Sequence, residues 1–256
     1  MNLTNCYPSL SGKVVFITGG ATGIGANTVE AFCRQQAKVC FIDIQDEAAA
    51  ELIARISTID GAVVPCYYPC NLLNINDLKQ SVTQAIKAFG GIDVLINNAA
   101  NDTRHDFRQI DEQYWDERIN LNLRHYFFAT QAVYESMKHR GGGSIINMGS
   151  MSWHACQGGM TGYTTSKAGI EGVTRGLARD LAKDNIRINT ITPGWVITER
   201  QKSEWLDDEA LATIERSQCL AAQLEPENIS AMALFLASDD SRMCTAQNFI
   251  VDGGWI

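Results

Sequence analysis

Short apolar runs alternate with longer amphipathic segments along almost the whole chain. The runs KVVFIT, KVCFID and GSIINM, at 13–18, 38–43 and 143–148, are apolar on both faces and predict strands that are buried on both sides. Between them lie segments whose apolar positions recur every three or four residues, which predicts helices. This alternation is typical of a parallel sheet covered by helices.

The full pattern predicts one doubly wound α/β domain, with about seven parallel strands and helices on both faces of the sheet. The domain spans residues 1–256, since no Pro-rich or charge-rich linker divides the chain. Strands are expected at 13–18, 38–43, 62–68, 92–97, 143–148, 186–191 and 247–251. Helices are expected at 24–36, 46–59, 75–89, 161–183 and 226–237, with one long helix within 111–139 that begins near Glu112.

The segment 198–224 breaks this alternation. It is polar, carries Trp205, and lies between a predicted strand and a predicted helix. An insertion at this point would lie at the carboxyl ends of the strands, where open α/β sheets bind their ligands. We therefore expect it to form a substrate lid.

Composition and charge exclude several classes of protein. The formal net charge of −8 repels phosphate backbones, so we expect no nucleic-acid partner. No stretch approaches 18 consecutive apolar residues, and the polar start Met1–Pro8 contains no recognisable signal peptide, so we expect no membrane association. The eight cysteines form no CxxC pair and do not cluster with histidines, which predicts free thiols, no metal site and a cytoplasmic location.

A glycine-rich loop, TGGATGIG at 18–25, follows the first predicted strand and opens the first predicted helix. Glycines let a diphosphate approach the backbone, and the helix N-terminus offers free N–H groups to its oxygens. Asp43 ends the next predicted strand, where a dinucleotide fold places a carboxylate on the ribose hydroxyls. A packing turn and a solvated strand end are the alternative interpretations of these two features.

The residues after Asp43 favour NAD over NADP. Ile44 and Gln45 follow it, and neither carries a positive charge. A 2′-phosphate beside Asp43 would therefore meet like charge, at a cost of about 4 kcal/mol for a 4 Å separation and an effective dielectric constant near 20.

A second motif, YTTSK, places Tyr163 and Lys167 four residues apart on one face of a predicted helix. Tyrosine ionises near pH 10, and a neighbouring cation favours its phenolate. A surface pair is the ordinary alternative for this spacing. Ser150 just past one predicted strand, Asn122 in an earlier helix, and NNAA at 97–100 after another strand favour a catalytic site instead.

Together with PGWVIT at 193–198, these motifs make the chain resemble the short-chain dehydrogenase/reductase family over essentially its whole length. The resemblance implies a Rossmann fold with Tyr163 as the general acid/base. It implies that Lys167 lowers the pKa of Tyr163 and holds the nicotinamide ribose. Ser150 would hydrogen-bond the reacting oxygen, and Asn122 would anchor a water in the proton relay.

The resemblance also assigns the cofactor site and the assembly. Two positions depart from the family pattern, Ala100 for the usual Gly and Asn71 for the usual Asp, and neither threatens the chemistry. A homotetramer is implied, with the long helices and the C-terminal tail at its interfaces. The residues implied to bind NAD are Gly19, Thr22, Gly23, Ile24, Gly25, Asp43, Asn71, Leu72, Asn98, Ala99, Tyr163, Lys167, Pro193, Val196 and Thr198.

Within the family, the chain is similar to bacterial NAD-dependent aldose 1-dehydrogenases. The similarity rests on NDTRH at 101–105, YWDER at 114–118, NLRH at 122–125, SWH at 152–154 and QCL at 218–220. Polar side chains beside flat rings suit a sugar, which has hydroxyl edges and apolar faces. We expect the substrate to contact Asn101, Ser150, His154, Tyr163, Trp195 and Gln201.

The expected reaction is NAD-dependent oxidation of the anomeric C1 hydroxyl of a pentose or 6-deoxy sugar, which gives an aldonolactone. One alternative is oxidation of another secondary alcohol, such as that of a 2-keto-3-deoxy sugar acid, with Arg104 or Arg200 binding its carboxylate. Another is a non-catalytic NAD-binding protein, which the presence of all four catalytic-type residues disfavours. Two aromatic residues also have structural interpretations, Trp153 in the core and Trp205 at a subunit contact.

Overall fold

The computed structural model describes residues 5–256, so the first four residues of the polar Met1–Pro8 start lie outside it. Its seven parallel strands form one sheet in the order β3-β2-β1-β4-β5-β6-β7, which confirms the predicted fold class. The strands are β1 Val14–Thr18, β2 Lys38–Asp43, β3 Cys66–Pro69, β4 Val94–Asn97, β5 Gly143–Met148, β6 Ile186–Pro193 and β7 Asn248–Val251.

Helices cover both faces of the sheet. Helices α1, α2 and α9 pack on one face, and α3, α5 and α6 pack on the other. The helices are α1 Gly23–Arg34, α2 Asp46–Ser57, α3 Ile75–Phe89, α4 Glu112–Ile119, α5 His125–His139, α6 Thr161–Ala182, α7 Glu199–Glu204, α8 Asp208–Ser217 and α9 Pro226–Ala237.

Strand β1 shows why the sequence runs are apolar throughout. Val15 and Ile17 point into the core on the α1 side, whereas Val14 and Phe16 point into the core on the α3 side. All four side chains are at most 1% exposed. A central parallel strand needs apolar residues at consecutive positions because both of its faces are buried.

Several element boundaries differ from the sequence prediction by one to four residues, and three of the differences have a clear structural cause. The predicted long helix is interrupted by a π-helical turn at Asn120–Arg124, between α4 and α5. Strand β6 runs on to Pro193 because Thr190–Pro193 pairs with β7. Strand β3 starts only at Cys66, where its pairing with Cys40 begins.

The segment 198–224 contains α7 and α8 and ends at Leu224, which forms an isolated parallel bridge with Val196. Within residues 5–256, no helix combines the length and the apolar character needed to cross a bilayer. The eight cysteines carry free thiols.

Candidate active site

A cavity of about 1250 Å³ opens at the carboxyl ends of the central strands, beside the N-terminus of α1. All of the residues predicted to bind the cofactor line this cavity. They come from six separate stretches of sequence, and the parallel topology brings them to one edge of the sheet.

The glycine-rich loop has the tight conformation that its sequence predicts. Gly19 and Gly23 adopt φ angles of +66° and +56°, which disfavour residues with a Cβ. A Cβ on Gly25 would lie 1.9 Å from the carbonyl oxygen of Gly19. The Asn98 amide donates to that oxygen at 2.8 Å and to the Thr18 carbonyl at 3.1 Å. This close-packed backbone at a helix N-terminus fits a dinucleotide diphosphate.

Asp43 lies at the far end of the cavity, and its carboxylate is held by the backbone. It accepts hydrogen bonds from the N–H groups of Ala21, Ile44 and Gln45 at 2.9, 2.8 and 3.2 Å. Each carboxylate oxygen has more than one acceptor site, so the group can still receive ribose hydroxyls. Arg55 of α2, which sequence reasoning missed, also lines this end and pairs with Glu30 at 3.2 Å.

Tyr163 lies in the first turn of α6 and faces the cavity beside Ser150, which follows β5. Burial raises the pKa of Tyr163 to about 12, and the hydrogen bond with Ser150 acts in the opposite direction. The phenol is therefore protonated at neutral pH in the free protein. The sequence led us to expect a lowered pKa, and here desolvation outweighs the lowering effects.

Lys167 lies one helical turn after Tyr163 and is fully buried. Its Nζ donates to the Met148 carbonyl at 2.7 Å and to the Tyr126 hydroxyl at 3.1 Å, and it lies 5.4 Å from the centre of the Tyr163 ring. Burial lowers the pKa of Lys167 to about 7, and Asp102 opposes this shift. Sequence reasoning missed Tyr126. It lies four residues after Asn122, and this spacing could have indicated that the two side chains share one helix face.

Asn122 lies in the π-helical turn, behind the cavity wall. Its Oδ1 accepts the backbone N–H of Asn101 at 2.7 Å, and its Nδ2 donates to the Asn101 carbonyl at 3.1 Å. Single π-helical turns are frequent at functional sites. The side chain therefore fixes the backbone at Asn101, and its predicted part in a proton relay stays a prediction.

Five of the six predicted substrate residues line the cavity: Asn101, Ser150, Tyr163, Trp195 and Gln201. The sixth, His154, lies away from it. Its Nε2 faces Glu171 at 3.2 Å, and its ring stacks on Trp153 with centroids 3.6 Å apart. His154 therefore does not line the cavity in this structure, because the 3₁₀ turn at Met151–Trp153 directs it toward α6, and its contact with the substrate stays a prediction.

The wall nearest the lid is charged but balanced. Asp102 pairs with Arg104 and Arg200 at 3.6 and 3.2 Å, and Arg200 also contacts Glu204 at 3.1 Å. Arg104 lies over the Trp205 ring, 4.9 Å from its centre, so this tryptophan packs within the chain. Two cations, Arg104 and Arg200, are thus paired with two carboxylates, Asp102 and Glu204, in this part of the cavity wall.

Residues 19–256 match the family model described as enoyl-(acyl carrier protein) reductase, which covers more than half of the chain. The chain belongs to the short-chain dehydrogenase/reductase family. D-xylose 1-dehydrogenase of Caulobacter vibrioides is 48% identical over 97% of this chain and 98% of its own. A Rhizobium meliloti protein named "probable galactose dehydrogenase" is 42% identical over 97% of this chain and 96% of its own.

Solved structures of the family show the same architecture. The blue fluorescent protein from a metagenomic library, crystallised with NADPH, is 32% identical to this dehydrogenase, with a TM-score of 0.88 over 96% of this chain and 99% of its own. That complex contains the phosphorylated cofactor, so family membership establishes a nicotinamide dinucleotide without deciding between NAD and NADP.

Proposed function

We propose that this short-chain dehydrogenase oxidises the C1 hydroxyl of an aldose, a pentose or a 6-deoxy sugar, to the aldonolactone with NAD as the acceptor. One observation carries the proposal: Tyr163 and Ser150 face a cavity whose outer wall is polar, aromatic and without excess charge. The two sugar dehydrogenases that resemble the chain over nearly its full length support it.

The charge balance at the lid argues for a neutral substrate. A sugar acid would need a free cation, and Arg104 and Arg200 were the residues considered for that role. Both contact Asp102, and Glu204 takes a second bond from Arg200. A substrate carboxylate would have to displace one of these carboxylates, whereas a neutral sugar would not.

Trp195 adds a hydrogen-bond donor and a flat surface. Its indole N–H is buried and finds no acceptor among residues 5–256, although its side chain lines the cavity. Buried donors without a partner cost about 1–3 kcal/mol. A sugar hydroxyl would satisfy this donor, and the ring would pack against an apolar sugar face.

The residues of this chain would act as follows. Tyr163 takes the proton of the C1 hydroxyl, and Ser150 holds that oxygen in line. When bound, oxidised NAD would supply the hydride acceptor for C1 and a positive charge that favours the phenolate. Lys167, positioned by Met148 and Tyr126, holds the nicotinamide ribose and favours the phenolate. Asn122 anchors the relay through which the proton leaves.

NAD is the preferred cofactor in this proposal. The glycine-rich loop, Asn98 and Ala99 would hold the diphosphate and the adenosine ribose, and Asp43 would accept the ribose hydroxyls. A 2′-phosphate would meet the Asp43 carboxylate. Arg55 lines the same cavity and could compensate, but its guanidinium is already paired with Glu30.

The remaining predictions concern assembly and location. We propose a homotetramer, as the family resemblance implies. We place the protein in the cytoplasm, because free thiols persist in a reducing compartment.

The deciding experiment incubates the enzyme with NAD and, separately, D-xylose, L-arabinose, D-arabinose, L-fucose, D-glucose and a 2-keto-3-deoxy sugar acid. We expect NADH with at least one aldose, together with its lactone, detected by mass or as the hydroxamate. A deoxy analogue lacking a contacted hydroxyl should be rejected more sharply than one with an added methyl group. NADH with the sugar acid alone would overturn the proposal and leave the family assignment intact.

A further inference from the structure

Helix α7 is tied to the loop after β4 by a single carboxylate. Oδ1 of Asp102 lies 3.2 Å from Nη1 of Arg200, and Oδ2 accepts from Nε2 of Gln201 at 3.1 Å. Both partners belong to the first turn of α7, and the Asp102 side chain is 19% exposed. Each oxygen of the carboxylate thus contacts a different residue of the lid.

Arg104 extends the same junction to the end of α7. Its Nη1 donates to the Asp102 carbonyl at 3.0 Å, and its guanidinium lies 4.9 Å from the centre of the Trp205 ring. Trp205 directly follows α7. We call these five residues, Asp102, Arg104, Arg200, Gln201 and Trp205, the lid clasp.

The sequence of α7 offers few other attachments. None of the residues Glu199–Glu204 is fully buried, and its other ion pairs, Lys202–Glu199 and Arg200–Glu204, lie within the helix itself. Short helices with little apolar burial are marginal and depend on tertiary contacts. The clasp is therefore a principal attachment of α7 to the wall of the cavity.

We propose that Asp102 is a positioning residue, which holds α7 over the substrate end of the cavity and balances the two arginines beside Tyr163. The first half of this proposal, the lid part, is that Asp102 holds α7, and it depends only on contacts in the free protein. The second half, the charge part, is that Asp102 balances the arginines. It rests on the proposed role of Tyr163 as the base, and the two parts are tested separately.

Asp102, Arg104, Arg200 and Tyr163 line the same cavity, and each charge shifts the pKa of Tyr163 in a definite direction. The Asp102 carboxylate raises the pKa of Tyr163, whereas Arg104 and Arg200 lower it. Asp102 also raises the pKa of Lys167. Ser150, Lys167 and Tyr126 are further polar groups that interact with the phenol. Removing Asp102 or Arg200 therefore opens the same clasp but shifts the pKa of Tyr163 in opposite directions.

The lid part is tested by hydrogen–deuterium exchange on the free enzyme, which needs no substrate. Asp102→Ala and Arg200→Gln should each speed exchange of the amides at 199–205 by about two- to five-fold, the effect expected for losing one partly exposed ion pair or hydrogen bond. Asp102→Asn keeps an acceptor for Gln201 and should show a smaller increase. Exchange in β1 and β4 should not change, which shows that the variants fold.

Lys202→Gln is the matched control, because it removes a cation of the same helix whose ion pair is with Glu199. It should leave exchange at 199–205 near the wild-type rate. Unchanged exchange in Asp102→Ala, or equal acceleration in Lys202→Gln, would overturn the lid part whatever the substrate proves to be.

The charge part is tested by the pH profile of kcat for whichever alcohol the enzyme oxidises. Because the base form of Tyr163 is required, kcat rises through its apparent pKa. Asp102→Asn should move this acid limb to lower pH, and Arg200→Gln should move it to higher pH. If the acid limb moved in the same direction in both variants, or moved in neither, the charge part would be overturned and the exchange result would still stand.

Discussion

The two ends of the cavity are built in different ways. At the end that contains Asp43, its carboxylate accepts from three backbone N–H groups, and the Asn98 amide donates to the carbonyls of Thr18 and Gly19. At the lid end, Asp102 is held by side chains, of which Arg200 is 40% exposed. Backbone bonds at strand ends form with the fold, whereas partly exposed ion pairs contribute only about 0.2–1 kcal/mol each.

This difference separates a rigid part of the site from an adjustable one. The end at Asp43 is a fixed surface, which suits the proposed adenosine site. The end at α7 is fastened by weak contacts, which suits the proposed lid. Variants of Tyr163, Asp43, Gly25 and Gln201 each test this contrast.

Tyr163 lies between the two ends, so its loss should affect chemistry and leave binding at both. Tyr163→Phe removes the hydroxyl and keeps the ring, and kcat should fall about 10²–10⁴-fold, as for loss of a general acid/base. Steady-state kinetics should show a nearly unchanged KM for NAD. Turnover close to that of the wild type would refute the assignment.

A variant of Asp43 tests what its negative charge contributes at the rigid end of the cavity. Asp43→Ala should raise KM for NAD about 10- to 100-fold, because hydrogen bonds to a charged group contribute about 1.5–3 kcal/mol. It should also narrow the preference for NAD over NADP, because the repulsion of a 2′-phosphate disappears. Kinetics with both cofactors measure the two effects.

Asp43→Asn is the matched control, since it keeps an acceptor for the backbone N–H groups and removes the charge. It should narrow the preference with a smaller rise in KM. Equal use of NAD and NADP by the wild-type enzyme would show that our interpretation of Asp43 is wrong.

A variant of Gly25 tests how closely the backbone is packed at the same end of the cavity. Gly25→Ala places a Cβ 1.9 Å from the Gly19 carbonyl oxygen, so the backbone of the loop must shift. The expected cost is about 1–3 kcal/mol of folding free energy, as for other overpacked sites, with a raised KM for NAD. Urea unfolding at fixed protein concentration measures the first effect.

A glycine elsewhere gives the comparison. The Cβ of a Gly158→Ala variant, in the exposed loop before α6, would have nothing within 4 Å. Its stability should be unchanged or higher by about 0.4–1 kcal/mol, because alanine restricts the unfolded chain. Similar losses in both variants would mean that the glycine-rich loop is not specially tight.

Gln201 tests the adjustable end, where we expect the smallest effect. Gln201→Ala removes one hydrogen bond to Asp102, worth about 1 kcal/mol, and should raise KM for the sugar about five-fold. KM for NAD should change little. His154→Ala is the contrasting variant, because the imidazole faces Glu171 and not the cavity. A larger rise in the sugar KM for His154→Ala than for Gln201→Ala would reverse our assignment of the substrate wall.

Features that depend on local sequence patterns could be predicted, whereas features that depend on long-range packing could not. Strand β5, helix α3 and helix α9 have the bounds predicted from apolar periodicity alone. That the proposed cofactor residues would line one cavity was predictable, because each lies at a strand end or in a helix start, and parallel topology brings such positions to one edge. The π-helical turn at Asn120–Arg124 was not, since its residues continue the helical pattern on both sides.

The amino-acid sequence by itself therefore determined the doubly wound sheet, the position of the glycine-rich loop and the pairing of Tyr163 with Lys167. These depend on local periodicity and on spacings of a few residues. Only the tertiary structure decided that His154 faces away from the cavity, that burial dominates the pKa values of Tyr163 and Lys167, and that Asp102 meets a lid residue 99 positions along the chain. Desolvation and long-range side-chain contacts depend on how distant segments pack, which the spacing of residues along the chain does not encode.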